Sequence, residues 1–122
     1  MPALTAVDSE EDVLAAEFAP LGLTHEVVIT RADCASGAES KYTLPVVAFQ
    51  WNARFGFYTA AGGRIALSGI AVFPRSYYSG SVLRVTYPYR LPAGTKAVRA
   101  FWWYGTTGDY GPTAWNSKRS NC

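Results

Sequence analysis

Groups that do chemistry are scarce in this chain. Its 122 residues include one histidine (His25), one methionine and two cysteines, and only 16% are charged. A serine–histidine or cysteine–histidine arrangement would have to use His25. No G-x-S-x-G elbow, Walker loop or H-E-x-x-H run accompanies it, so His25 reads as a strand-edge side chain beside Glu26. Two distant cysteines and one histidine lack the paired spacing of a compact zinc site. Asp8, Glu10, Glu11 and Asp12 lack the spacing and distal glutamate of a calcium loop. Past position 40 the only acid is Asp109, which leaves no carboxylate pair there for glycoside cleavage. The expectation is therefore a protein that is not an enzyme and that needs no metal or cofactor. No apolar run approaches the ~20 residues of a transmembrane helix. No basic stretch followed by an apolar one opens the chain, so no signal peptide is expected.

Hydrophobic residues make up 49% of the chain and aromatic residues 15%, with 11 glycines and 7 prolines. That composition excludes a disordered or collagen-like polymer, and the length suits one domain. Charge is segregated. Residues 1–40 hold eight acids against Arg31 alone, whereas residues 41–122 hold ten bases against Asp109 alone. Of the 18 aromatic residues, only Phe18 precedes position 41. An acidic amino-terminal segment has three natural destinations: its own basic body, the body of a neighbouring copy, or nowhere, leaving the body to an anionic polymer.

Ser9 followed by Asp12, with Leu14 and Phe18 four apart before Pro20 and Gly22, predicts a short helix over about residues 9–18. From His25 onward the pattern is β. His25–Ala32 is rich in β-branched residues, and Cys34–Ser40 reads as a polar loop. Tyr42–Phe49, Asn52–Ala60 and Arg64–Phe73 are predicted strands, the last apolar on both faces. Pro74–Gly80 is a loop. In Ser81–Tyr89, Leu83, Val85, Tyr87 and Tyr89 share one face. In Thr95–Tyr104, Trp102 and Tyr104 share a parity with Val98 and Ala100 and are assigned inward, while Phe101 and Trp103 are assigned outward with Arg99. The fold expected is all-β: an antiparallel β-sandwich of about seven strands, immunoglobulin/fibronectin-like or jelly-roll-like. Residues 1–24 form its acidic arm or short helix, and residues 25–122 the domain.

The binding candidates are aromatic. Tyr77, Tyr78, Trp103, Tyr110 and Trp115 are candidate rings for a protein interface or a polysaccharide platform. Asp8, Glu10, Glu11 and Asp12 are the candidate contacts of the arm. Cys34 and Cys122 either form a disulfide worth about 4 kcal/mol in the chain-entropy model or remain free thiols. Trp51-Asn52-Ala53-Arg54-Phe55-Gly56-Phe57-Tyr58 resembles the start of a cold-shock domain, without the residues that join the two halves of that motif. The resemblance implies single-stranded nucleic-acid binding through Trp51, Arg54, Phe55 and Phe57. Leu91-Pro92-Ala93-Gly94-Thr95 leading into Val98, Ala100 and Trp102 resembles the last two strands of fibronectin type III domains, with Ala97 in place of their tyrosine. Each resemblance covers a short stretch, and neither assigns a family.

The leading expectation is a structural protein that self-assembles into a homo-oligomer or larger body, such as a virion or capsid component. It joins copies through the acidic segment and the basic, aromatic body. A carbohydrate-binding module is the alternative and a nucleic-acid binder the third. The corresponding location is a virion or the extracellular space, with the cytoplasm left open.

Overall fold

A computed structural model of the chain describes residues 27–45, 50–105 and 114–122. The described residues form eight strands and no helix: β1 (Val27–Asp33), β2 (Gly37–Thr43), β3 (Trp51–Tyr58), β4 (Arg64–Leu67), β5 (Ala71–Phe73), β6 (Val82–Tyr87), β7 (Ala97–Tyr104) and β8 (Ala114–Arg119). They make two antiparallel sheets, one of order β1-β2-β6 and one of order β4-β3-β7-β8 in which β5 also pairs with β3. Facing each other across a shared core, the sheets form a β-sandwich. The arm of residues 1–24, its predicted helix and His25 lie outside the described residues.

Alternation within strands builds the core. The three-stranded sheet turns Val27, Ile29, Ala38, Tyr42, Leu83 and Tyr87 inward; the larger sheet turns in Trp51, Ala53, Phe55, Phe57, Val98, Ala100 and Trp102. Trp102 is flanked in register by Ala53 on β3 and Ala114 on β8, two small side chains that leave room for the indole. Its ring meets Tyr42 at 5.4 Å and stacks on Phe73 at 5.8 Å, and its Nε1–H donates to Ser40 Oγ at 3.1 Å across the sandwich.

That bond explains why the stretch read as a polar loop is largely strand. Only residues 34–36 turn; Gly37–Thr43 is β2, with Ala38, Ser40 and Tyr42 fully covered. Ser40 looks polar in sequence but has a buried donor waiting for it. The stretch 64–73 is likewise two strands, not one. β4 pairs with residues 56–58 of β3 and β5 with residues 51–53. Between them Ser68 replaces the regular ladder: its N–H donates to Phe55 O at 2.8 Å and its Oγ accepts from Phe55 N at 2.9 Å. Of the predicted strand 42–49, only Tyr42 and Thr43 belong to β2, and residues 46–49 lie outside the described set.

The β1–β2 turn closes on Gly37, whose φ is +105°. A Cβ there would run into the Tyr87 carbonyl oxygen of β6 and lie 2.8 Å from that of Tyr89. Gly37→Ala is therefore expected to cost about 2 kcal/mol or more, from backbone strain plus the collision. Gly62→Ala, at φ +89° with open space around it, carries the strain alone. If the two variants unfold at the same urea concentration, the close approach to β6 is not tight.

The same turn is tied to the end of the chain. Cys34 and Cys122 form a disulfide with Cα atoms 5.3 Å apart. Beside it, Asn121 Nδ2–H donates to Asp33 Oδ1 at 2.6 Å and Asn121 Oδ1 accepts from Cys34 N at 2.8 Å. The Asp33 carboxylate also accepts from the Ser36 hydroxyl and N–H, each at 2.8 Å. These bonds, the Ser36 hydroxyl foremost, pull its pKa from 3.8 down to about 2. A carboxylate whose folded pKa is depressed stabilises the fold fully above its unfolded pKa and loses that contribution as pH falls through the folded one. The urea midpoint should thus drop between pH 4 and pH 2, and drop less in Asp33→Asn. An identical acid profile in that variant would assign the loss to other carboxylates.

A candidate site on the outer face of the larger sheet

The outward parity of the larger sheet is as unusual as its core. Register places Phe101 between Arg54 and Trp115, and Arg99 between Gly56 and Ser117. Tyr58 folds back over Gly56, where a Cβ would lie 2.6 Å from its hydroxyl. The absence of a side chain at Gly56 thus lets the Tyr58 ring come beside Arg99. The Arg99 guanidinium sits 4.6 Å from the Tyr58 ring centre and 4.3 Å from that of Trp115. Its Nε–H donates to Ser117 Oγ at 3.3 Å. Stacking between two rings holds a guanidinium in place while leaving its edge available for hydrogen bonds.

Toward the β3–β4 turn this face opens into a groove of about 300 Å³, lined among others by Tyr58, Thr59, Arg99, Ser117, Lys118 and Arg119. A second hollow of about 220 Å³ adjoins it and adds Lys96 and Ser120. Four cations therefore converge on one end of the sheet, and no carboxylate side chain lines either hollow among the described residues. Lys96 Nζ donates to the main-chain oxygen of Cys122 at 2.5 Å, which ties one of them to the last residue of the chain. An electropositive hollow with a preorganised guanidinium suits carboxylate or phosphate oxygens.

The sequence-selected residues do not form a single site. Trp115 is half-buried beside Arg99. Tyr77 and Tyr78 lie near the opposite end of the sandwich: Tyr77 is half-buried, 6.4 Å from Phe73, with the Arg75 guanidinium 5.9 Å away, and Tyr78 is 84% exposed. Trp103, assigned outward as an interface or ligand ring, does face outward but is 0% exposed, and Phe101 is only 6% exposed. They belong to a second apolar cluster with Tyr58 and Leu67, packed against Ile70 and Trp115. An outward parity therefore did not mean a wet face. Trp51, Phe55 and Phe57 share the opposite parity and fill the core, so no base can stack on them without opening the sandwich. Arg54 points the other way and donates through Nε and Nη2 to Ser68 O at 3.3 and 3.0 Å. Tyr110, Asp8, Glu10, Glu11 and Asp12 lie outside the described residues.

Lys96, Arg99, Lys118 and Arg119 escaped the sequence reading because only register brings the start of β7 beside the end of β8. The one local hint was an arginine set in an otherwise apolar, aromatic strand. Among the described residues no group of three His, Cys, Asp or Glu is placed to hold a metal ion, and no helix is long and apolar enough to cross a membrane. Compared with protein-family models, curated proteins and solved structures, the chain matches none.

Proposed function

We propose that this chain is a non-enzymatic assembly unit whose copies associate through the acidic amino-terminal segment of one and the basic groove of the next. The observation that carries the reading is the convergence of Lys96, Arg99, Lys118 and Arg119 on two adjoining hollows lined by no described acidic side chain, in a chain that keeps eight of its nine acids before position 41. Carboxylates of Asp8, Glu10, Glu11 and Asp12 are the complementary groups. Arg99, held between Tyr58 and Trp115, offers the planar fork that pairs with a carboxylate. Repetition around a symmetric particle lets one modest contact act many times, the setting expected of a virus or phage shell. The disulfide suits an oxidising compartment or a particle outside the cell.

The test is absolute mass by light scattering of the full chain at low and high salt. The expected result is a discrete oligomer or larger particle that loosens as salt screens the contact. Replacing Asp8, Glu10, Glu11 and Asp12 by their amides should have the same effect at low salt, as should Arg99→Ala. A monomer of 13.3 kDa under both conditions would end the reading.

A glycan-binding reading draws on Tyr78, which is 84% exposed. It predicts a monomer that binds a polysaccharide and loses that binding in Tyr78→Ala.

A further inference from the structure

Register in the larger sheet sets several hydrogen-bond donors around one shallow floor. Ala97 on β7 lies between Tyr58 of β3 and Arg119 of β8, and one row along Arg99 lies between Gly56 and Ser117. Positions 97, 99, 117 and 119 therefore share the outward parity. Ala97 contributes only a methyl group to the hollow of about 300 Å³ that it lines with Arg99, Ser117 and Arg119. A longer side chain at that position would fill the space.

The donors are held in place, yet most lack an acceptor. The Arg99 guanidinium is fixed between the Tyr58 and Trp115 rings, and among the described residues only its Nε has an acceptor, Ser117 Oγ at 3.3 Å. Nη1 and Nη2 keep the four hydrogens of the fork. Ser117 Oγ accepts the Arg99 bond and so retains its own O–H to donate. Arg119 is exposed and has no ion-pair partner among the described residues. A carboxylate offers two oxygens in one plane, which the Arg99 fork alone satisfies. A phosphate or sulfate group offers at least three from one centre, enough for the fork, the Ser117 hydroxyl and Arg119 together.

We infer that the hollow over Ala97 is a binding site for a tetrahedral oxyanion, a phosphate or sulfate group, held by the Arg99 fork, the Ser117 hydroxyl and Arg119. Binding itself needs only these residues. The ion also occupies the space given above to the acidic segment of a neighbouring copy and displaces it, and this regulatory consequence rests on the assembly reading.

The experiment titrates the full chain with inorganic phosphate at an ionic strength held constant with chloride, following backbone amide and arginine Nε–H signals by nitrogen-15 NMR. The expected result is saturable shifts at residues 97–99 and 117–119 with a dissociation constant on the order of 1 mM or tighter. Sulfate should bind similarly and acetate about tenfold more weakly. Ala97→Leu, which keeps every charge, should abolish saturation, and Arg99→Lys, which keeps the charge but removes the fork, should weaken binding about tenfold. Should Ala97→Leu fail to fold, Ser117→Ala at an exposed position takes its place, with a severalfold loss expected. Phosphate shifts no larger than those from chloride, equal affinity for acetate, or full affinity in a folded Ala97→Leu chain would each overturn the inference. Methyl phosphate binding as tightly as inorganic phosphate assigns the site to an esterified group, and binding of the inorganic ions alone assigns it to the free ion. Light scattering at the same ionic strength separates the two readings. A mass that falls on adding phosphate supports displacement, and an assembled mass unchanged at saturating phosphate overturns it. A chain that binds phosphate but never associates loses the assembly reading alone.

Discussion

Trp102→Ala is expected to lower the stability of the sandwich by about 3–5 kcal/mol, the range for removing a buried tryptophan or phenylalanine ring. That is a large share of the 5–15 kcal/mol that holds a typical domain together. The indole is fully covered, touches Tyr42 and Phe73, and bridges the sheets through Ser40. Its in-sheet neighbours, Ala53 and Ala114, are too small to fill the space it would leave. Ser40→Ala isolates the polar part of the loss. It strands the indole N–H in the core at a cost of about 1–3 kcal/mol, whereas a solvent-facing serine would change almost nothing. Guanidinium unfolding midpoints of the two variants decide the matter. A midpoint for Ser40→Ala equal to that of the parent would mean that β2 does not sit in the register described.

Breaking the Cys34–Cys122 bond has the next largest expected effect. It joins residues 88 positions apart, and in the chain-entropy model closing a loop of that size restricts the unfolded chain by about 4 kcal/mol. The bond also holds the tail where Asn121 meets Asp33 and Cys34 N. Those hydrogen bonds are exposed and contribute little once the tail can leave. Reduction of the parent protein should therefore lower its unfolding midpoint strongly. A chain with Cys34→Ala and Cys122→Ala should start near that lowered value and respond no further to reductant. A parent midpoint indifferent to reductant would count against a stabilising bond.

These two effects act at different places, which is useful for the assembly question. Neither Trp102 nor the disulfide lines the basic groove, although Cys122 touches it through Lys96. A loss of salt-dependent mass in Arg99→Ala with an unchanged unfolding midpoint would assign that residue to association. A joint loss of mass and stability would assign it to the packing of Tyr58 and Trp115. The comparison matters because Arg99 is held by both rings.

Strand alternation was legible wherever one face met water. In β6, Leu83 and Tyr87 are buried while Val82, Arg84 and Thr86 are exposed, and the spacing of side chains predicts that division directly. The inward assignment of Val98, Ala100 and Trp102 held for the same reason. Alternation failed where both faces are covered. β3 is buried at every position, so the aromatic stretch that resembled a nucleic-acid platform became core. Trp103 faces outward without being exposed. Polarity misled in β2, where Ser40 is a core residue because of an indole 62 positions away.

By itself, then, the sequence determined the β class, the inward parity of strands with one wet face, and the segregation of acids from bases. Each depends on residue type and spacing within a few positions. Only the tertiary structure decided that β4 and β5 share one edge of β3, that the second face of the larger sheet is covered, and that Lys96, Arg99, Lys118 and Arg119 meet in one groove. Those outcomes depend on which strands become neighbours. Register between distant segments is set by the packing of the whole core, which no local pattern encodes.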